Sequence, residues 1–318
     1  MRLTRTFFAL LLFLLTTLPA RPWGCKGHQT VALLAELNLT PEALQLVNKL
    51  LSENPADPSL KRYCSDAAHD LLADASTWPD DVRNVAKNGP WHYIDIPRGA
   101  ARAPLSEFCG PGGCITQAIA DQLAVLKDPS ADPHKRADAI RYIVHFVGDL
   151  HMPLHASTND DRGGSCVPVY YFWRTPQAVR ESYPLNLHYV WDVAILEHDM
   201  DSAEPAEYAR FLTQTFASDF PKWRAAGIQV EDWTWESHDL AESVVYENLS
   251  PKIPMEKPLD VHSCSDDNNI GQRMLALHVS AAEKYQELAV PVVQKRIAQA
   301  GIRLALILND AAAAITAK

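Results

Sequence analysis

Two segments of the sequence carry a histidine and an aspartate at a spacing suited to metal binding. HFVGDLHMPLH contains His145 and Asp149, and NLHYVWD contains His188 and Asp192, each pair four residues apart. Residues at positions i and i+4 of an α-helix share one face, so both members of a pair point the same way. Neutral imidazole and carboxylate are common ligands of Zn²⁺. Each segment therefore offers part of a metal site.

A single pair of this kind is weak evidence, because His and Asp at this spacing often form only a surface ion pair. Four further residues of the same types strengthen the case: His28, Asp80, His92 and His155. Buried charged groups need partners, and coordination is the simplest way to satisfy so many of them in an apolar, tryptophan-rich chain. His151 lies within the first segment but is not counted among the ligands, and six other histidines lack a paired spacing. We expect all seven in surface or core positions: His69, His134, His151, His198, His238, His262 and His278.

Helices must position these residues, because apolar side chains recur at helical spacing along most of the chain. The pattern predicts helices at 28–51, 115–127, 136–150, 206–218, 239–248 and 270–313. Pro153 should end the helix that carries His145, which leaves His155 able to turn toward a neighbouring position. The β-branched and aromatic run Val169–Trp173 predicts a strand in a small hairpin after the turn at 162–164. The predicted fold is mainly α, a single bundle-like domain.

Residues 1–22 have the layout of a secretory signal. Arg2 and Arg5 precede the apolar run Phe7–Leu15, and small and turn-forming residues follow up to Pro22. We expect removal of residues 1–22, which leaves one domain over 23–318 in a secreted or periplasmic protein. An uncleaved anchor helix is the alternative. No later stretch has about 18 uninterrupted apolar residues, so membrane insertion is not expected.

Six cysteines in an exported chain favour disulfides. Cys109 and Cys114 enclose Gly-Pro-Gly-Gly, a turn able to bring two sulfurs together, and we expect them to be bonded. The other four cysteines allow three connectivities. A guess among these is the following pairing: Cys25 with Cys64, and Cys166 with Cys264. A zinc–thiolate site is the alternative, but the sequence contains no C-x-x-C.

The formal net charge of −10 argues against a protein that binds nucleic acid through a basic face. Such binding depends on many contacts between Lys or Arg and phosphate. A sequence-specific DNA-binding protein is therefore disfavoured. The objection is weaker for an enzyme that holds phosphate through bound metal ions, since those cations would be the largest local charges in the site.

Six segments form an ordered set: WGCKGH (23–28), WPDDVR (78–83), WHYID (91–95), HFVGDLHMPLH (145–155), RGGS (162–165) and NLHYVWD (186–192). This set resembles the motifs of the zinc-dependent single-strand-specific nuclease/3′-nucleotidase family of fungi, plants and bacteria. The later WTWESHDLAESVVY (233–246) and AGIRLALILN (300–309) also resemble the helical C-terminal half of that family. The resemblance spans nearly the whole mature chain. It implies a fold related to zinc-dependent phospholipase C.

The resemblance implies three Zn²⁺ ions, held by the residues that match the family's motifs. The first ion would be held by Asp80, His92, His145 and Asp149. Asp149 would bridge to the second ion, which His28 and the backbone amine and carbonyl of Trp23, as the mature N-terminus, would also hold. His155, His188 and Asp192 would hold the third. Three dications and three aspartates leave a net charge of about +3 for an anionic phosphate.

The implied activity is hydrolysis of single-stranded DNA and RNA to 5′-phosphorylated products, with 3′-nucleotidase activity, by a hydroxide that the zinc ions activate. Asp80 and Asp149 would act through these ions. Arg83 would neutralise charge on the phosphoryl oxygens, with a surface salt bridge as its alternative. Tyr93 would stack on an unpaired base and Asp95 would accept a hydrogen bond from its edge, with structural roles as the alternative. The implied partners are nucleic acids and 3′-nucleotides, with no stable protein partner.

Two positions depart from the family's pattern. The segment before Trp23 ends in Arg-Pro, a poor signal-peptidase site, whereas cleavage after Ala20 would leave two residues that block the Trp23 amine. Ser165 follows the paired glycines, where the family often carries Asn. Two rival functions are a zinc-dependent phospholipase C, which typically has Glu where this chain has Asp192, and a zinc-binding protein without turnover.

Overall fold

Helices dominate the structure, a computed structural model that describes residues 23–65, 67–179, 182–256, 263–265 and 269–316. The α-helices are α1 Gly24–Glu36, α2 Pro41–Glu53, α3 Leu71–Ala75, α4 Trp78–Ala86, α5 Ile115–Lys127, α6 Pro133–Leu150, α7 Leu187–Tyr189, α8 Ile195–Met200, α9 Pro205–Thr215, α10 Phe220–Ala225, α11 Val230–Leu240, α12 Ile270–Ala276 and α13 Glu283–Thr316. Short 3₁₀ turns span Gly89–His92, Leu105–Phe108 and Pro153–His155, and π-helical turns span Val190–Ala194 and Ala241–Tyr246. The mainly α prediction is confirmed. The predicted signal segment lies outside the described residues.

α13 is the central element of the hydrophobic core, and it packs against α1, α2, α5, α6, α8, α9 and α10. Gly301 lets α1 approach closely, because a Cβ atom there would come within 2.4 Å of Leu34 Cδ2. Among the described helices, only α13 is long and apolar enough to cross a bilayer by length and composition. Most of its apolar stretch is buried inside the protein, as in the core helix of a globular domain.

α6 runs through the interior and carries His145 and Asp149. The Asp132 side chain caps its first turn by accepting hydrogen bonds from the backbone N–H groups of His134 (2.8 Å) and Lys135 (3.3 Å). This cap and Pro133 explain why α6 begins three residues before the predicted start. The helix ends at Leu150, shortly before Pro153, as predicted. Every residue from 143 to 150 is buried, so both candidate ligands face the interior.

Two predicted long helices are each divided in the structure. The helix predicted at 28–51 breaks before Thr40, whose side chain caps α2 by accepting from Ala43 N–H at 3.2 Å. The helix predicted at 270–313 breaks at His278, which has a positive φ of 53°. The residues after it are extended, and Val279 O accepts a hydrogen bond from Tyr170 N at 2.8 Å. Apolar spacing continues across both breaks, so periodicity alone missed them.

The predicted β-hairpin at Val169–Trp173 is reduced to isolated bridges. Among the described residues these bridges do not extend into a ladder of paired strands. Tyr171 and Arg174 exchange two backbone hydrogen bonds, 3.1 and 2.9 Å long, around a two-residue turn. Tyr170 instead pairs with the segment before α13, about a hundred residues later in the chain. Tyr170 and Tyr171 therefore pair as strand residues, one with a distant segment and one locally, whereas Phe172 and Trp173 form a turn in which Phe172 has a positive φ of 50°.

Three disulfides join the six cysteines of the chain: Cys25–Cys64, Cys109–Cys114 and Cys166–Cys264. The predicted Cys109–Cys114 bond is confirmed, and so is the guessed pairing of the other four. No cysteine among the described residues is free, so the zinc–thiolate alternative has no ligands. Three disulfides fit an oxidising, extracytoplasmic compartment.

Candidate active site

Asp149 lies at the centre of a buried group of histidines. Its Oδ1 is 3.2 Å from His28 Nε2, and its Oδ2 is 3.1 Å from both His92 Nδ1 and His145 Nε2. His28, His145 and Asp149 form one set able to hold a metal ion, with ligand atoms within 4.8 Å of one another. Together with His92, these residues come from α1, α6 and the 3₁₀ turn Gly89–His92, so three separate elements deliver the ligand atoms.

Asp80 completes a second set with His92 and His145. Its Oδ1 is 3.8 Å from His92 Nδ1 and 3.9 Å from His145 Nε2. Asp80 lies on α4, a helix that the apolar pattern did not predict, and Arg83 is one turn further along it. Burial raises the pKa of Asp80 to about 7, a cost that a cation between these ligands would offset.

A third set consists of His155, His188 and Asp192. His188 Nε2 is 2.9 Å from Asp192 Oδ2, and His155 Nε2 is 3.5 Å from Asp192 Oδ1. Asp192 lies in the π-helical turn Val190–Ala194, a form that often occurs at functional sites. His155 Nδ1 is also 3.7 Å from Asp149 Oδ1, so the third set adjoins the first two.

Backbone carbonyls orient three of the candidate ligands. The Nδ1 atoms of His145, His155 and His188 lie 2.7, 2.8 and 2.7 Å from backbone oxygens of other segments. An imidazole that donates from Nδ1 presents an unprotonated Nε2, the form that binds metal. The three acceptors belong to Ser76, His92 and Gly163. Sequence patterns missed this orientation because any residue type supplies a backbone carbonyl.

The donor set fits metal ions, because several of its buried atoms contact one another but make no hydrogen bond. Seven nitrogen or oxygen atoms of His28, His92, Asp149, His155 and Asp192 are buried and make no hydrogen bond within the described part of the chain. Leaving a buried polar atom unpaired costs about 1–3 kcal/mol, so seven in one place require another partner. Divalent cations bound by imidazole and carboxylate would satisfy them together.

Burial and neighbouring charges leave His28 and His92 neutral and Asp149 ionised. At His145 and His155 burial is outweighed by neighbouring carboxylates, which raise the pKa of His145 and raise that of His155 to about 9. Burial, together with the charge of His145, lowers the pKa of His28 to about 4, and burial lowers the pKa of His92 to about 3. Burial alone would raise the pKa of Asp149, but the imidazoles of His145 and His155 outweigh it and hold that pKa well below its usual range. At neutral pH the His28 and His92 rings are therefore neutral and Asp149 is ionised.

Trp23 is buried beside this centre. Its indole Nε1 donates a hydrogen bond to Gly148 O at 2.7 Å, one residue before Asp149. Its carbonyl oxygen is 3.3 Å from the donating N–H of His28. The residues before Trp23 lie outside the described part, so coordination by its amine stays a prediction.

A cavity of about 280 Å³ opens beside the three sets. Its lining includes the three residues predicted to contact substrate, Arg83, Tyr93 and Asp95, together with His92, Leu154, His155, Arg162, Gly163, Ser165 and His188. Burial, with a smaller contribution from Asp161, raises the pKa of Asp95 to about 6. The salt bridge considered for Arg83 is not found: its guanidinium has no carboxylate within 4.0 Å among the described residues and lines the cavity instead.

The family match covers all eight converging side chains, since the family model described as S1/P1 Nuclease aligns with residues 23–313. The chain belongs to the S1/P1 nuclease family. Members of the S1/P1 nuclease family are metal-dependent enzymes that hydrolyse nucleic acids, and their fold is related to phospholipase C. The predicted enzyme class and fold class are therefore confirmed, and a zinc-binding protein without turnover is not supported.

Curated relatives of this S1/P1 family chain are similar over nearly its whole length. Endonuclease 4 of Arabidopsis thaliana is 27% identical over 315 residues, covering 90% of this chain and 88% of the relative. Nuclease P1 of Penicillium citrinum is 26% identical, with 91% and 97% covered. Nuclease S1 of Aspergillus oryzae is 25% identical, with 89% of each covered. Each of these relatives is therefore similar to this chain over most of both lengths.

Proposed function

We propose that this S1/P1 family nuclease uses three Zn²⁺ ions to hydrolyse single-stranded DNA and RNA to 5′-phosphorylated products, and that it also removes the phosphate from 3′-nucleotides. The observation that carries the proposal is the convergence of five imidazoles and three carboxylates on one buried centre beside a cavity. Zinc is the expected metal because imidazole and carboxylate are its usual ligands.

The three ligand sets share their residues unequally. Asp80, His92 and His145, with Asp149, would hold one ion, and His155, His188 and Asp192 would hold a separate one. Asp149 would also serve an ion held by His28 and by the backbone of Trp23, because its two oxygens face different histidines. Bound together, the ions would lower the pKa of water and attract the phosphate.

The cavity residues would hold the substrate around this centre. Arg83 would donate hydrogen bonds to the phosphoryl oxygens, where negative charge increases during hydrolysis. Tyr93 would stack on an unpaired base and Asp95 would accept a hydrogen bond from the base edge. A base paired in a duplex must first leave its stack to enter a cavity of about 280 Å³, which favours single strands.

Export of the protein is a further part of the proposed function. Removal of residues 1–22 would release a single domain, 23–318, into the extracellular space or periplasm, where its three disulfides would persist. Trimming that leaves Trp23 first would free its amine for the metal. The proposed enzyme is neither inserted in a membrane nor bound to a stable protein partner.

The experiment combines metal analysis and N-terminal sequencing of the mature protein with a nuclease assay. We expect about three zinc ions per chain, Trp23 as the first residue, and cleavage of a single-stranded oligonucleotide at least about tenfold faster than of its duplex. Phosphocholine release from lecithin is the control for a phospholipase C. Full activity after exhaustive chelation, or fast lecithin hydrolysis without nucleic-acid cleavage, would contradict the proposal.

A further inference from the structure

The loop that follows Ser157 and forms one wall of the cavity has an unusual backbone. Asp160, Arg162, Gly163 and Gly164 all have positive φ angles, 57°, 57°, 58° and 81°. Glycine adopts this region freely, but for arginine it costs about 1–2 kcal/mol. Such a conformation persists only where surrounding contacts enforce it, and it is common where a protein holds a ligand.

Asp161 enforces the conformation of this loop. Its buried carboxylate accepts hydrogen bonds from Asn159 N at 3.1 Å, Gly164 N at 2.9 Å and the Tyr246 hydroxyl, which is 3.1 Å from both oxygens. The loop is also tied to the metal-ligand sets, because Gly163 O accepts the hydrogen bond from His188 Nδ1. The position of Arg162 is therefore fixed relative to the catalytic centre.

The Arg162 side chain lines the cavity and is exposed to solvent. It makes no ion pair within 4.0 Å and no hydrogen bond to any residue that the structure describes. Its charge nevertheless acts on Asp95 and Tyr93, so it lies near the wall proposed to receive a base. A guanidinium without a protein partner, in a chain of net charge −10, is suited to an anionic ligand.

We propose that Arg162 binds the phosphate on the 5′ side of the nucleotide whose 3′-phosphate is cleaved. The inference rests on the proposed function. If Tyr93 and Asp95 bind the base and the metal centre binds the 3′-phosphate, the 5′-phosphate of the same nucleotide lies at the rim of the cavity beside the base. Arg162 stands at that rim. A 3′-nucleotide without a 5′-phosphate lacks this contact, so Arg162 selects polynucleotide strands over isolated nucleotides.

The test compares dithymidylate with and without a 5′-phosphate, two substrates with the same scissile bond and bases. We expect the 5′-phosphate to lower the KM of the unaltered enzyme roughly tenfold, as one charge-assisted contact allows, with little change in kcat. Arg162→Gly should abolish this preference and Arg162→Lys should keep part of it. Because glycine adopts a positive φ readily, Arg162→Gly removes the guanidinium without straining the loop.

The matched control is Arg210→Ala, which removes the same charge from an exposed position on α9 that does not line the cavity. It should leave the 5′-phosphate preference intact. With a longer single strand, Arg162→Gly should also reduce the slope of log affinity against log salt by about 0.7, the value for one lost phosphate contact.

The possible failures have different meanings. Cleavage of neither dinucleotide by the unaltered enzyme would contradict the proposed function and this inference with it. Cleavage of both without any preference for the 5′-phosphate would overturn the role of Arg162 alone. An equal loss on both substrates in Arg162→Gly would also overturn it, because a contact to the base or the scissile phosphate affects both.

Discussion

At the scale of single residues, Asp149 is the side chain on which the site most depends. Both of its oxygens contact histidines, and it is fully buried at the end of a long core helix. A carboxylate that is buried in this way could not remain charged without nearby cations or hydrogen-bond donors. Four imidazoles lie within 4 Å of its two oxygens, on which the proposal that this residue serves two ions rests.

Asp149→Asn should therefore remove two of three metal ions and most of the activity. The amide supplies one weaker ligand oxygen and no charge, whereas His155, His188 and Asp192 remain to hold the third ion. We expect about one zinc per chain and a decrease in single-strand cleavage of at least about 100-fold. Metal analysis and a turnover assay provide the measurements. Exposed Asp239→Asn is the matched control, and full turnover by Asp149→Asn would exclude a bridging role.

At the scale of elements, short helices and turns rather than long helices deliver most ligands. Five of the eight candidate ligands come one each from such elements: α4, the turn Gly89–His92, the turn Pro153–His155, α7 and the π-helical turn Val190–Ala194. These elements are anchored by side chains: Trp191 Nε1, for example, donates to the Tyr285 hydroxyl of α13 at 2.8 Å. The core helices supply the rigidity, and the short elements aim the ligands.

The contact between α1 and α3 should make stability depend on pH. Burial and the neighbouring Asp70 carboxylate, the cap of α3, raise the pKa of Glu36 at the end of α1 to about 7. The folded protein therefore holds this proton more tightly than the unfolded chain, whose glutamate titrates near 4.5. This contribution is complete below about pH 4.5 and is lost as the pH rises through 7.

Glu36→Gln should remove that pH dependence. Because the pair is partly exposed and screened by solvent, we expect a gain of only about 1 kcal/mol in the free energy of unfolding at pH 8 and none at pH 4. Denaturant unfolding at both pH values measures it. Exposed Glu287→Gln should show no such difference between the two pH values, and a loss of stability at pH 8 in Glu36→Gln would contradict the repulsion.

At the scale of the whole molecule, the proposed metal ions would concentrate positive charge where an acidic chain needs it. The net charge of −10 would repel a polyanion, but bound dications, together with the arginines of the cavity, would reverse the sign locally. The same ions would stabilise the fold, because the metal ligands come from segments between residues 28 and 192. Catalysis and stability would then depend on the same set of metal–ligand contacts.

Chelation should lower thermal stability as well as activity. Removing ions that hold several elements together leaves buried carboxylates and imidazoles unpaired, and a loss of roughly 4 kcal/mol corresponds to a fall in Tm of about 10 °C. Calorimetry before and after chelation, followed by restoration with zinc, measures the effect. The reducing agent must be omitted so that the three disulfides stay intact. An unchanged Tm would show that the metals do not link these elements.

The sequence by itself determined the helical class, the candidate ligands and the family. Types and spacing are local properties: histidine and aspartate four apart, a proline after α6 and a turn between Cys109 and Cys114 can all be recognised without a partner. The same reasoning failed in more than one way, because apolar periodicity reveals neither local caps nor distant contacts. α4 was missed, and the two long predicted helices are divided by capping and by an extended segment that pairs far along the chain.

Only the tertiary structure decided which candidate ligands lie within reach of one another, which ring nitrogen faces the centre, and what holds the cavity loop. These depend on distances between residues remote in sequence and on backbone carbonyls, such as those of Ser76 and Gly163, which every residue possesses. Arg162 illustrates the difference. Its motif marked the loop, but its lack of a protein partner and its place on the cavity wall follow from how Asp161 and Tyr246 pack, because long-range contacts are formed by folding and not by local sequence.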